Sequence, residues 1–174
     1  MEYTKKRILA TIKQLKEPKA KVRFVIKKIR KAKEEGYDIN TKFESGRTIL
    51  HYIIEYGHSK VIKTLINYGC NPDLCDDNFM TPLHLAVVKN DKKAVKSLLK
   101  GGADVDIPGE FEQTPLHLAT ILGDLKMIKI LIKYHADLLL VDEKNLSVID
   151  YANDEKNIKI INFLKKKFNK KEEN

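Results

Sequence analysis

The 174-residue sequence predicts an all-α solenoid, in which helix-turn-helix units with projecting loops stack between helical caps. Three observations predict it. The first is a 33-residue period held by several independent positions. Thr48, Thr81, Thr114 and Ser147 keep that step, as do His51, His84, His117 and Asp150. Gly36, Gly69, Gly102 and His135 keep it too, with Asp38, Asn71, Asp104 and Asp137. The second is apolar spacing at helical period inside each repeat, as in Ala94, Val95, Leu98 and Leu99. The third is composition: 43% hydrophobic but 7% aromatic with no Trp, which requires a mostly aliphatic core.

The elements follow in order. Residues 2–16 carry Ile8, Leu9, Ile12 and Leu15 on one helical face, and Pro18 breaks the chain. Residues 20–35 carry Val22, Val25, Ile26 and Ile29 and stop at Gly36, so 1–46 reads as a helical hairpin cap. Repeats are expected at 47–79, 80–112 and 113–145. In the clearest one, Thr81 is an N-cap and Pro82 occupies the first helical position, where its missing N–H costs nothing. That helix ends near Asn90-Asp91, and a second runs to Gly101-Gly102, whose freedom to turn left-handed suits a helix end. Ala103-Asp104-Val105-Asp106 then turns the chain toward the next Thr114. A capping repeat is expected at 146–168, its last helix carrying Ile158, Ile161, Phe163, Leu164 and Phe168, and a frayed tail at 169–174. The whole reads as one domain.

Charge and chemistry narrow the function. Net charge is +9, yet residues 1–46 carry 14 basic and 6 acidic side chains, 47–145 carry 12 and 13, and 146–174 carry 7 and 5. Only Arg7, Arg23, Arg30 and Arg47 are arginines, which disfavours a base-specific nucleic-acid reader. His51, His84 and His117 lie a repeat apart and cannot share a metal, while His58 and His135 stand alone in surface or turn positions. Cys70 and Cys75 form neither a disulfide framework nor a four-ligand zinc site. Asp76-Asp77, Asp104 and Asp106 fall in loop tips without a calcium-loop pattern, and Gly101-Gly102 lacks the Lys-Ser/Thr of a phosphate loop. No nucleophile, base and orienter can be nominated, so no enzyme and no cofactor are expected.

Thr81-Pro82-Leu83-His84-Leu85-Ala86 and Thr114-Pro115-Leu116-His117-Leu118-Ala119 resemble the ankyrin repeat. Gly102-Ala103-Asp104-Val105-Asp106 matches that family's turn, with Thr48-Ile49-Leu50-His51 and Gly69-Cys70-Asn71-Pro72-Asp73 as looser copies. The resemblance covers about residues 36–168. Ile49 replaces the helix Pro, His135 replaces a glycine, and Ser147-Val148-Ile149-Asp150 has lost both Pro and His. The resemblance implies that Thr48, His51, Thr81, His84, Thr114 and His117 are structural. It also implies a partner-binding concave face made of loop tips and first helices. On the repeat register its candidates are Arg47, Tyr56, Asp77, Met80, Val88, Lys89, Glu110, Phe111, Ile121 and Leu122. Tyr56, Met80, Val88, Phe111, Ile121 and Leu122 would form an apolar stripe, with Glu44, Glu55, Asp77, Glu110 and Glu112 making the tips acidic. The aliphatic members could instead tuck between neighbouring first helices.

The expected function is therefore a non-catalytic protein–protein interaction module, an adaptor, inhibitor or host-directed effector. The alternative is binding of nucleic acid or an anionic membrane through the basic N-terminal hairpin. Poor aromatic interleaving there, with only Tyr3 and Phe24, argues against single-strand stacking. The charged N-terminal residues show no secretory signal, and apolar runs fall short of the roughly 20 residues that cross a bilayer. A monomer in the cytoplasm is expected, with a nuclear or host-cytosol address also compatible.

Overall fold

Most of the helices inside the repeats begin at a side-chain N-cap and are followed by a residue that turns left-handed. The computed structural model describes residues 2–17 and 22–172, with side chains for 5–17 and 22–169. Among the described residues there are ten α-helices and no strand, in keeping with an all-α repeat fold. They are α1 (Glu2–Lys13), α2 (Val22–Glu34), α3 (Ile49–Glu55), α4 (Ile62–Asn67), α5 (Pro82–Val88), α6 (Lys92–Lys100), α7 (Pro115–Ile121), α8 (Leu125–Lys133), α9 (Val148–Asp154) and α10 (Ile158–Glu172). Two compact units divide the chain, residues 1–103 and 104–174.

In the first unit α1 packs on α2 and α3, α3 on α4 and α5, and α6 on α4 and α5. Its core is aliphatic: Ile12, Leu15, Ile29, Ile49, Leu50, Ile53, Ile54, Ile62, Leu65, Leu83 and Leu98 are fully buried. The expected cap face is present, with Ile8, Ile12 and Leu15 buried and Leu9 half-buried. The Pro18 break falls outside the described residues. Two contacts fasten this cap to the repeats. Lys13 Nζ lies 2.8 Å from the Glu44 carboxylate, and His58 Nε2 donates to the Leu15 carbonyl at 2.9 Å. His58, expected in a bland turn role, is thus a tie between the cap and the α3–α4 connection.

In the second unit α7 packs on α8 and α9, and α9 on α10. Leu116, Ala119, Ile128, Leu131, Val148, Ala152 and Leu164 are fully buried. The expected phase of α10 needs correction. Ile158 is 70% exposed, whereas Ile160 and Leu164, one turn apart, point into the core. The reason is the cap: Asn157 Oδ1 accepts from Ile160 N at 3.3 Å, which makes Ile158 the outward-facing first residue of the helix. The helix also continues to Glu172, through most of the segment expected to fray.

The second helices α6 and α8 start on a further 33-residue pair. Asp91 accepts from Lys93 N and Ala94 N, and Asp124 from Lys126 N and Met127 N, all within 2.9–3.0 Å.

Candidate functional site

First helices open on a reciprocal box. Thr48, Thr81 and Thr114 are N-caps whose backbone N–H donates to Nδ1 of His51, His84 and His117 at 3.1, 3.3 and 3.2 Å. The same imidazole nitrogens lie 2.8–2.9 Å from the Thr hydroxyls. His thus stands where Glu or Gln stands in the usual capping box. An Nδ1 that accepts a backbone N–H is unprotonated, so the proton sits on Nε2. In His51 that Nε2–H donates to the Met80 carbonyl at 2.9 Å. Burial pushes His51 and His117 below the usual imidazole range. The last repeat keeps the device without histidine: Ser147 N donates to Asp150 Oδ2 at 2.8 Å and Asp150 N to Ser147 Oγ at 3.4 Å.

The tips between repeats are built by a second device. Phe43 N, Asp76 N, Gly109 N and Asp142 N each donate to the carbonyl four residues on, those of Arg47, Met80, Gln113 and Leu146, at 2.8–3.1 Å. In two of the four tips a buried aspartate fills the turn. Asp76 accepts from Asn78 N and Met80 N, and Asp142 from Lys144 N and Leu146 N. Burial pushes Asp142 up, but the Tyr151 hydroxyl at 2.5 Å and these N–H donors hold it below the usual carboxylate range. Neighbouring tips within a unit are laced together: Asp77 N donates to Ser45 O and Glu143 N to Phe111 O, both at 3.1 Å. Gly46 sits at φ +68°, and a Cβ there would lie 2.7 Å from Asp77 N, so that lacing needs glycine.

Each tip forces residues into the left-handed region. Gly46, Phe79, Glu112 and Asn145, all one repeat apart, have φ of 68°, 58°, 57° and 59°, and Phe111 has φ 56°. A bulky residue there is strained by roughly 1–2 kcal/mol. Phe79 is nonetheless 65% exposed and Phe111 53%. Phe79 was missed by the sequence reading, although an aromatic between Asn78 and Met80 in a tip was the available signal.

The sequence-predicted residues divide as follows. In the first unit Asp77 is exposed at the tip and Met80 half-buried behind it. Val88 and Lys89 are exposed at the end of α5. Tyr56 is half-buried at the end of α3, its ring 6.0 Å from that of Tyr52. Arg47 Nη1 lies 2.5 Å from Glu55, so its charge is spent inside the unit. In the second unit Glu110 and Phe111 are exposed at the tip, Leu122 is exposed at the end of α7, and Ile121 is half-buried. The tip acidity expected throughout is uneven. Lys13 and Arg47 pair with Glu44 and Glu55, whereas Glu110 and Glu112 enter no ion pair among the described residues. Burial pushes the Cys70 thiol to about 12, which makes it a packing residue at neutral pH. No cluster of three metal-ligating side chains occurs among the described residues.

Helix pairs on a 33-residue step, opened by Thr-His boxes and joined by hairpin tips, define a helical repeat protein. The family model described as ankyrin repeats (three copies) matches residues 20–109 and 90–174, and the chain belongs to that family. A comparison with curated proteins found no match. The family is in general one of non-catalytic protein–protein interaction modules. Among the described residues no helix is long and apolar enough to cross a membrane.

Proposed function

We propose that the chain captures a protein partner on its loop tips and first-helix ends, as an adaptor, an inhibitor or a host-directed effector, without catalysis. The reading rests on where large apolar side chains meet solvent. Of the eight that do so among the described residues, Phe79 and Val88 in the first unit and Phe111 and Leu122 in the second lie at loop tips or first-helix ends. Strained backbone that presents an exposed aromatic is an expense a folding role does not require. Glu110 and Glu112 beside Phe111 supply the charged surround typical of an interface edge. The repeat boundaries at 47–79, 80–112 and 113–145 and a monomeric cytoplasmic chain remain part of this proposal. The test is affinity capture from the native cell followed by titration of the captured partner. Phe111→Ala and Leu122→Ala should each weaken binding by about 1–2 kcal/mol with the melting curve unmoved. Unchanged affinity in both would overturn the assignment.

A second reading, binding of nucleic acid or anionic membrane through residues 1–46, draws on exposed cations of α1 and α2 such as Lys5, Lys6, Lys27 and Lys31. Duplex DNA and anionic vesicles are its probes, and lack of binding at about 0.15 M salt would set it aside.

A further inference from the structure

The basic face of the first unit is not a uniform surface, because it contains a built groove. Val22, Ile26 and Tyr68 form its half-buried floor, between the outer side of α2 and the end of α4. Arg23, Lys27 and Arg30, at helical spacing, form a cationic rim, and Phe24 stands 49% exposed as a wall. The cavity measures about 810 Å³. Beyond Arg30 the two helices are pinned together: Lys33 Nζ donates to the Tyr68 carbonyl, and Asn40 Nδ2 to the Gly69 carbonyl at 3.1 Å. Val22 also lines a second depression of about 870 Å³. His58, Lys60, Val61, Lys89, Lys92 and Lys93 line that depression. From Val22 to Arg30 is about 12 Å along α2, two turns of a bound helix.

We propose that this groove binds an acidic amphipathic helical segment of a partner protein, its apolar stripe on Val22, Ile26, Phe24 and Tyr68 and its carboxylates on the rim. Charge complementarity selects the sign. The acidic groups at hand are already engaged, since Glu34 pairs with Arg30 at 3.2 Å and Asp91 caps α6. Arg23, Lys27, Lys60, Lys89 and Lys93 leave a clear cationic surplus. Arg23 stands in the rim beside Lys27, and the guanidinium fork matches a carboxylate in two parallel hydrogen bonds, whereas Arg30 is already paired with Glu34. The floor selects the class. A concave, mostly apolar floor of Val22, Ile26 and the Tyr68 ring buries Leu or Ile side chains but gives little to a phosphate ladder. Phe24 carries Lys28 Nζ 4.5 Å over its ring, which occupies a face that a stacked base would need. A helix laid apolar side down into a groove is an established recognition geometry. Apart from Lys89 at the end of α5, these residues are separate from the loop tips and first-helix ends, and the groove of α2 is tested independently of the tip reading.

Fluorescence anisotropy on the full chain tests it. The probe is a labelled ~14-residue peptide with Leu at i, i+3, i+4 and i+7 and Glu elsewhere. Saturable binding is expected, at least about tenfold weaker for a permuted peptide without the stripe, and at least about tenfold weaker in Phe24→Ala and in Arg23→Glu/Lys27→Glu. Phe111→Ala should leave it unchanged, which separates this result from the tip site. Circular dichroism confirms that the variants fold. Four outcomes would overturn the proposal: no saturable binding, equal affinity for the permuted peptide, affinity insensitive to the groove variants, or tighter binding of single-stranded DNA or phosphatidylserine vesicles through the same residues.

Discussion

A threonine and an imidazole three residues apart start the first helices, and this gives the fold a definite response to acid. His51 and His117 are held below their usual range by burial, and their Nδ1 atoms accept backbone N–H groups that a protonated ring could not bond. Above pH of about 6.5 both rings are neutral in the folded and unfolded chain, so their contribution is constant. As pH falls below that value the unfolded chain takes up protons first. Stability therefore declines from about pH 6.5 down toward the lowered folded values. Melting temperature should fall between pH 7 and pH 5, and His51→Gln with His117→Gln should flatten the profile, since Gln also completes a capping box. A wild-type profile that is flat or rises on acidification would contradict this account. The histidines were legible in sequence because they share the period. Their threonine partners share it too, but the main-chain N–H donors were not legible, because a backbone group leaves no residue pattern to read.

At the scale of the element, the left-handed turns decide where second helices stop. Gly36, Gly69, Gly102 and His135 have φ of 86°, 99°, 92° and 67°. The sequence period marked His135 as the exception, and the backbone keeps the same conformation regardless. An L-residue pays for that region and glycine does not. His135→Gly should raise stability by about 0.5–1 kcal/mol, measured by the urea midpoint; destabilisation would mean that the imidazole makes a compensating contact. The tips were less legible. Asp76 and Asp142 are two periods apart, but Gly109 occupies the copy between them, so the pattern is interrupted. Asp91 and Asp124 are a complete pair that falls outside the Thr-Pro-Leu-His motif. The phase of α10 escaped because one Asn cap shifts which isoleucine faces inward.

Over the whole molecule, an aliphatic interior and a segregated charge were both readable from composition. Leu98 in the first unit and Leu131 in the second are fully buried, and Leu98→Ala or Leu131→Ala should each cost roughly 2–5 kcal/mol, seen as a lowered melting transition. A melting curve unmoved by both would contradict the burial. The basic N-terminal segment was legible as a charge excess, but its groove was not, because it needs Tyr68 brought from another repeat against α2. The positions of the tips were legible by register, whereas the pairing of Glu44 and Glu55 with Lys13 and Arg47 was not, because it depends on side-chain reach. One substitution changes how the chain meets acid. Where interior repeats use an imidazole that must stay neutral, the terminal box uses Asp150, which must stay ionised and is held below its usual range by the Ser147 hydroxyl. Both kinds of box therefore need a deprotonated side chain, neutral in one and anionic in the other, and lose it in different pH ranges. Between the imidazole and carboxylate ranges acid loosens the interior starts while leaving the last one locked, which gives the chain a built-in order of failure.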